Sequence, residues 1–242
     1  MSNYKINEVE YPSVTTVIGI LGKGDALLQS SVNCATNYIK DNIFRLQPDV
    51  EHKREAISIE ELLIEAKTEW KNIKDEAMNI GTEVHKMIEN HIKSIINKTD
   101  MPKYEGEYRK EVENGYLAFL EWEKENITKW IASEKTVICK EFGYAGTLDA
   151  IAELKDGVYY IDFKSSKGFY DGYDKQISAY KYADGEYPDA GIGVLRLDKE
   201  TGIPEWKDYS KKYDKAINSF HKLVDFYYSD KKRRLKNNPF VK

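Results

Sequence analysis

The spacing of apolar residues changes near residue 130, and this change limits the folds open to the chain. Upstream, apolar side chains recur every three or four positions, which is the repeat of a helix face. Members of this repeat are Leu62, Leu63, Ala66, Trp70 and Ile73, then Val84, Ile88 and Ile92, then Tyr108, Val112, Tyr116 and Phe119. Downstream, apolar and polar residues alternate over residues 135–142, 146–154 and 158–164, the repeat of a half-buried strand. The pattern therefore predicts helices followed by three strands.

Further signals extend this order. Ser58-Ile59-Glu60-Glu61 is a capping box that opens a long helix. Residues 11–18 are predicted to form a loop or a short extended piece. Other helices are predicted at about 25–42, 104–125, 173–184 and 212–230, and a fourth strand at about 191–197. We therefore expect an α/β fold in a single domain over residues 1–242, with a mainly helical portion (1–130), a β-β-β-α-β core (131–200) and a C-terminal helix (201–242).

Composition sets limits on cofactors, compartment and partners. The 242 residues carry 37 Lys and Arg against 41 Asp and Glu, a net charge of −4, so phosphate binding would need a local basic surface. The run from Lys231 to Lys236 is either such a surface or a solvated helix end. Cys34 and Cys139 are too few for an iron–sulfur cluster or a cysteine-ligated zinc site. The N-terminus lacks a signal-peptide pattern and no apolar run could span a bilayer, so we expect a cytoplasmic protein with no membrane contact.

The second and third predicted strands carry charged residues on one shared face. With Asp156-Gly157 as a two-residue hairpin loop, Asp149 lies opposite Lys164, and Asp162 is its diagonal neighbour. Two carboxylates so placed can converge on one Mg²⁺ ion. An adjacent lysine can orient or deprotonate water, or stabilise developing negative charge. The same pattern also fits a cross-strand salt bridge between Asp149 and Lys164, with Asp162 as a strand-end charge.

Four short segments that carry these and other polar residues follow one another in a recognisable order. They are residues 81–89 (GTEVHKMIE), 146–149 (GTLD), 162–167 (DFKSSK) and 176–180 (QISAY). Together with residues 11–16 (YPSVTT), they resemble the PD-(D/E)XK nuclease superfamily, in the RecB-like branch that includes phage and mitochondrial genome maintenance exonucleases. The resemblance spans roughly residues 11–185 and implies a restriction-endonuclease-like core, a mixed central β-sheet flanked by helices. The literal Pro-Asp of the family name is absent, and GTLD takes its position.

The resemblance implies a role for each matching residue. The catalytic residues would be Asp149, Asp162 and Lys164. The ligands of Mg²⁺ or Mn²⁺ would be His85, Asp149, Asp162 and the backbone carbonyl of Phe163. The residues that meet DNA would be Gln176 and Tyr180 on a helix, and Ser165, Ser166 and Lys167 beyond the active strand. Glu89, one turn after His85, and Glu141, on the preceding strand, are candidates for supporting the ligands from behind.

The function implied by the resemblance is that of a metal-dependent DNA exonuclease. Such an enzyme hydrolyses phosphodiester bonds with water activated at the metal, here on single strands or DNA ends in phage-type recombination, repair or DNA processing. No helicase motif is present, so a helicase or recombination partner would be a separate protein. Three alternatives stay open: a structure-selective endonuclease on the same fold, a non-catalytic DNA-binding or assembly module, and an unrelated α/β domain whose matching residues do not converge. Strand polarity and oligomeric state are not set by the sequence.

Overall fold

The centre of the molecule is a mixed β-sheet with helices packed against it. The computed structural model describes residues 3–22, 24–106 and 109–231. The helices are α1 (Val14–Ile18), α2 (Gly24–Asn42), α3 (Ile59–Asn97), α4 (Lys110–Asn126), α5 (Tyr173–Asp184) and α6 (Tyr213–Lys231). The strands are β1 (Asn3–Ile6), β2 (Val9–Pro12), β3 (Ile127–Cys139), β4 (Tyr144–Leu154), β5 (Gly157–Lys164), β6 (Gly191–Leu197) and β7 (Pro204–Asp208). Tyr108 and the basic segment after Lys231 lie outside the described residues.

The main sheet has the strand order β3-β4-β5-β6-β7. Its one parallel pair is β5 with β6, while the other neighbouring strands run antiparallel. A parallel pair needs a crossover connection, and α5 provides it. This arrangement confirms the expected α/β class, with helices flanking a mixed sheet.

Two compact units divide the chain. One comprises Met1–Ile20 and Gly81–Lys242, and the other comprises Leu21–Ile80. The first unit contains both sheets, α1, α4, α5, α6 and the second part of α3. The second contains α2 and the first part of α3. Within the described ranges, no helix combines the length and the apolar character needed to cross a membrane.

The capping box predicted at Ser58 opens α3. The Ser58 Oγ accepts a hydrogen bond from the Glu61 backbone N–H (3.1 Å), and the Glu61 Oε2 accepts one from the Ser58 N–H (2.8 Å). These reciprocal bonds satisfy backbone donors that have no partner within the helix. The helix then continues without a break through Gly81 to Asn97.

Helices cover both faces of the sheet, because successive strand residues point in opposite directions. Tyr160 and Val194 face a core that also contains side chains of α1, α5 and α6. Phe163 points the other way and meets the ring of Phe119 on α4, with 5.7 Å between the ring centroids. The alternation of side chains along β5 therefore directs Asp162 towards α5 and Phe163 towards α4.

The β4–β5 hairpin has a different loop from the predicted one. Leu154 pairs with Gly157, so the two loop residues are Lys155 and Asp156 rather than Asp156 and Gly157. Gly157 is needed as the first paired residue of β5, where φ is 137°, a conformation that other residues rarely adopt. The predicted register was therefore wrong by two residues.

Three further predictions of secondary structure were wrong. Residues 14–18 form α1, where a loop or short extended piece was expected over residues 11–18. Residues 11 and 12 are extended, as part of β2, which pairs with β1. The segment 204–208 is β7 rather than part of a helical end. The strand expected at 135–142 begins at Ile127 and ends at Cys139. Its first half was missed because two register shifts interrupt the alternation there.

Candidate active site

The hairpin register brings two aspartates together at the end of the β4–β5 ladder. The pair at this end of the ladder is Ala150 with Ile161, so one further step along both strands leads to Asp149 and Asp162. Asp149 therefore neighbours Asp162 rather than Lys164, and the predicted salt bridge between Asp149 and Lys164 is replaced by one between Lys164 and Asp162. All residues of the site belong to the unit that contains the main sheet.

Asp162 is a buried carboxylate, 1% exposed, with a protein partner at each oxygen. Its Oδ1 accepts a hydrogen bond from the Gln176 Nε2 (2.9 Å), and its Oδ2 lies 2.5 Å from the Lys164 Nζ. Burial holds the pKa of Asp162 above its usual range, and the Lys164 ammonium opposes that shift. Burial alone would lower the pKa of Lys164, but the charges of Asp162 and Asp149 outweigh it, so the net direction is upward. The lysine is therefore held as an ammonium beside a sealed carboxylate.

Asp149 connects the two strands to helix α3. Its Oδ2 accepts a hydrogen bond from the Phe163 backbone N–H (2.7 Å) and lies 3.7 Å from the His85 Nδ1. The His85 ring also meets the Phe163 ring edge-on, with 6.2 Å between centroids. The structure thus brings His85, which the resemblance implies as a ligand, to the end of β4 and β5 where Asp149 lies. The Phe163 carbonyl as a ligand stays a prediction.

Glu134 joins this group and was missed from the sequence. It is the residue of β3 between the pairs Ser133–Ala150 and Lys135–Leu148, so it faces Asp149. Its backbone is left-handed, with φ of 51°, in the middle of a strand. Burial, followed by repulsion from Asp149 and Glu89, raises the pKa of Glu134 to about 7.

A register argument could have found Glu134. The short turn after Cys139 fixes the pairing of β3 with β4, and Cys139 pairs with Tyr144. Counting back five residues on β3 and forward five on β4 leads to Glu134 and Asp149. The predicted strand began at residue 135, so this acidic residue was left outside it.

His85, Glu134 and Asp149 form a group that could bind a cation. Each offers one ligand atom, and the three atoms all lie within 4.8 Å of one another. Among the residues that the structure describes, this is the one group of three or more His, Cys, Asp or Glu side chains that meets this distance. The predicted ligand set contained His85 and Asp149 but had Asp162 in place of Glu134. In the structure both Asp162 oxygens are directed at Gln176 and Lys164.

Gln176 and Tyr180 are buried on α5, at 9% and 4% exposure. The Gln176 Nε2 donates to the Tyr180 hydroxyl (3.1 Å) as well as to Asp162. The Tyr180 ring packs against Gly146 of β4 so closely that a Cβ there would lie 2.5 Å from the ring. These two residues therefore orient Asp162 from behind. Their predicted contact with DNA stays a prediction.

The three residues beyond the active strand have differing surroundings. The Ser166 Oγ donates to the Gly168 carbonyl (2.8 Å) and accepts from the Tyr173 hydroxyl (3.0 Å), so it stabilises the loop before α5. Lys167 is 80% exposed in its side chain and forms an ion pair with Glu200 (3.1 Å). The Ser165 Oγ lies beside Gly81 of α3, where a Cβ would be 2.7 Å away.

Glu89 and Glu141, the two glutamates expected to support the ligands from behind, have other side chains as partners. Glu89 forms ion pairs with Lys86 (2.9 Å) and Lys93 (2.6 Å) on its own helix. It still acts on the site at a distance, because its charge helps to raise the pKa of Glu134. Glu141 lies in the turn between β3 and β4 and accepts a hydrogen bond from Tyr182 (2.9 Å).

The ligand atoms of the group suit a divalent cation. Carboxylate oxygens are the ligands that Mg²⁺ and Mn²⁺ prefer, and an imidazole nitrogen adds preference for a transition metal. The pKa of Glu134 is raised first by burial and then by repulsion from Asp149, a carboxylate that faces it. A bound cation would supply positive charge between the two carboxylates, so the donor set fits Mg²⁺ or Mn²⁺.

No family model and no curated protein matches the chain. Function is therefore inferred from the geometry of the site and from the resemblance of its motifs.

Proposed function

We propose that the chain is a metal-dependent deoxyribonuclease of the PD-(D/E)XK type, acting as an exonuclease on single strands or DNA ends. The observation that carries the proposal is the convergence of four motif residues from three elements. His85 of α3 lies 3.7 Å from Asp149 of β4, and Lys164 lies 2.5 Å from Asp162 of the adjacent β5. The mixed sheet with flanking helices is compatible with a restriction-endonuclease-like core.

The site residues divide into metal ligands and a lysine, Lys164, that would assist the chemistry. His85, Glu134 and Asp149 would hold Mg²⁺ or Mn²⁺, with Asp162 as the further ligand that the motif implies. The bound ion would supply positive charge to the phosphate and acidify water at neutral pH. Lys164, fixed by Asp162, would orient water or stabilise the negative charge that develops on the phosphate.

Positive charge near the ligands favours a phosphate substrate. Lys86 and Lys93 lie on the same helix as His85, and their charges act on Glu134. Their side chains are 58% and 44% exposed. An overall charge of −4 does not oppose DNA binding, because phosphate contacts depend on local charge.

The proposal is tested with end-labelled linear single-stranded DNA, linear duplex DNA and closed circular DNA, each with Mg²⁺ or with EDTA. The variant Lys164→Ala removes the assisting ammonium group. Lys155→Ala is the matched control, because that lysine is exposed in the hairpin loop at the opposite end of β4 and β5 from the site. We expect Mg²⁺-dependent loss of linear DNA by the wild type and by Lys155→Ala, with circles intact and Lys164→Ala inactive.

Other outcomes separate the alternatives. Cleavage of closed circles would replace the exonuclease with an endonuclease on the same fold. Cleavage that continues in EDTA, or in Lys164→Ala at the wild-type rate, would contradict the proposed site. Folded wild-type protein that binds Mn²⁺ and DNA and cuts neither form would indicate a DNA-binding module.

A further inference from the structure

A second polar network, outside the ligand group, joins α3, α4 and β3. His91 of α3 contacts Glu123 of α4 through its Nε2 (2.9 Å) and the Tyr116 hydroxyl through its Nδ1 (2.8 Å). The Trp130 Nε1–H of β3 donates to the Glu123 Oε1 (2.5 Å). Trp130 is 5% exposed, and the His91 and Glu123 side chains are largely buried. Glu123 is therefore the carboxylate that holds both α3 and β3.

The two elements that Glu123 joins are the ones that bring ligand atoms to the candidate metal site. His91 follows His85 by six residues on α3, and Trp130 precedes Glu134 by four residues on β3. Because His91 and His85 share one continuous helix and Trp130 and Glu134 share one strand, the position of each network residue influences that of the ligand on the same element. The distance between His85 and Glu134 depends in part on Glu123.

Backbone pairing alone fixes this part of β3 weakly. The pairing of β3 with β4 shifts register between Ile127 and Lys129 and again between Trp130 and Ala132. A bulge leaves a residue unpaired and bends the strand, so the ladder is interrupted on both sides of the pair that Trp130 forms with Ala152. The hydrogen bond from its indole to Glu123 supplies the missing constraint just before the strand reaches Glu134.

A row of ring contacts leads from the network to the site on a second route. The His91 ring meets Phe119 edge-on (5.4 Å between centroids), and Phe119 meets Phe163 in the same way (5.7 Å). Phe163 then meets His85 (6.2 Å). Edge-on contacts of this kind are a favourable geometry for aromatic rings, so a continuous row of packed rings connects His91 to His85.

We propose that Glu123 is a positioning residue for the metal site, which sets the separation of His85 and Glu134 by joining α3 to β3. The inference rests on the proposed function, because it assumes that these residues bind a cation. It concerns a residue that contacts neither the cation nor the substrate. Partners behind metal ligands typically alter metal affinity by about 10- to 100-fold when removed.

The test is the affinity of the full chain for Mn²⁺, measured by calorimetry without DNA, beside the thermal unfolding midpoint. The informative pair is Glu123→Ala, which removes both hydrogen bonds, and Glu123→Gln, which keeps an acceptor for Trp130 and offers an N–H to His91. Glu121→Ala is the control, since Glu121 is exposed on the same helix. We expect Glu123→Ala to weaken Mn²⁺ binding at least about 10-fold, and Glu123→Gln and Glu121→Ala to stay within about 3-fold of the wild type.

A milder variant covers the case in which Glu123→Ala does not fold. Trp130→Phe keeps a buried ring and removes only the indole N–H that joins β3 to Glu123. We expect it to weaken Mn²⁺ binding at least about 3-fold, in the same direction as Glu123→Ala.

The failures of the inference and of the proposed function differ. Wild-type affinity in Glu123→Ala or Trp130→Phe, with only a lower unfolding temperature, would overturn the positioning role and leave the metal site intact. A wild type that binds Mn²⁺ no better than His85→Ala would overturn the metal site and the inference together.

Discussion

The two aspartates at the end of the β4–β5 ladder have opposite surroundings. Asp162 is 1% exposed, and its oxygens meet Gln176 and Lys164. Asp149 has a side chain that is 13% exposed and faces Glu134 and His85, with 30% of the His85 side chain exposed. One aspartate is therefore compensated by the protein itself, and the other sits among ligand atoms that carry excess negative charge.

This difference indicates how a site can be rigid and still accept an ion. A buried carboxylate without partners would be costly, so Asp162 requires its lysine and its glutamine to stay in place. We call Asp162, Lys164 and Gln176 the closed half of the site, and His85, Glu134 and Asp149 the open half. The closed half fixes β5 and, through the Phe163 N–H, the orientation of Asp149. The open half keeps the electrostatic repulsion that a cation would relieve.

The largest expected effect is in the closed half. Lys164→Ala removes the cation beside Asp162, so we expect the nuclease rate to fall about 1000-fold, within the range of assisted proton transfer. Lys155→Ala, in the exposed hairpin loop, should retain wild-type activity. The measurement is the initial rate on linear DNA at equal concentrations of folded protein, verified by circular dichroism. A rate within 10-fold of wild type would show that the lysine has no chemical role.

The next effect belongs to the open half. His85→Ala or Glu134→Gln removes one ligand, so we expect the affinity for Mn²⁺ to fall about 100-fold. Glu121→Gln serves as the control, because Glu121 is exposed on α4 and lies outside the ligand group. Calorimetric titration gives these affinities, and unchanged binding in Glu134→Gln would remove Glu134 from the site. An equal fall in Mn²⁺ affinity in Asp162→Asn would show that Asp162 belongs to the same ligand set as His85 and Glu134.

A methyl group on β4 should disturb the closed half from behind. A Cβ at Gly146 would lie 2.5 Å from the Tyr180 ring and 3.3 Å from a Val14 methyl. Overpacking of this kind costs about 1–3 kcal/mol, so Gly146→Ala should lower the free energy of unfolding by about 2 kcal/mol in urea. At Gly168 a Cβ meets nothing within 4 Å, so Gly168→Ala is the matched control. Equal stability of the two variants would mean that Tyr180 can shift freely.

The smallest expected effect is the pH dependence of the open half. The pKa of Glu134 is raised to about 7, so the folded protein holds a proton there that the unfolded chain releases at about 4.5. Stability without metal should therefore fall as pH rises between these values, by about 1 kcal/mol after allowance for the partial exposure of Glu134. Urea unfolding in EDTA at pH 5 and pH 8 measures this, and Glu134→Gln should show a smaller fall. Identical slopes in both proteins would contradict the raised pKa.

Much of the sheet could be predicted because its signals are local. The alternation in β4 and β5 gave their positions and faces, and the short periodic segments of α5 and β6 were found within about one residue. The sequence motifs contain His85, Asp149, Asp162 and Lys164, and the structure brings these four residues together. The period of the side chains and the spacing of the motif residues can be read from the sequence without knowing how the strands pair.

The remainder depends on interactions that a local pattern does not contain. β7 has five residues, with a proline at its start and little burial, so its strand character comes from pairing with β6. The hairpin register depended on the conformation of Gly157, which the Asp-Gly pair left open. Glu134 lies in a strand whose bulges interrupt the alternation and whose backbone at that residue is left-handed.

The irregular course of β3 also affects how the protein behaves in a crowded solution. β3 is an outer strand of the sheet, and an outer strand can recruit a strand from another molecule and so begin an aggregate. Two register shifts and the left-handed Glu134 interrupt its 13-residue length, which deprives an incoming chain of a regular row of donors and acceptors. A smoother β3 would align more easily with a neighbouring molecule, so the distortion that directs Glu134 towards Asp149 also protects the chain from self-association.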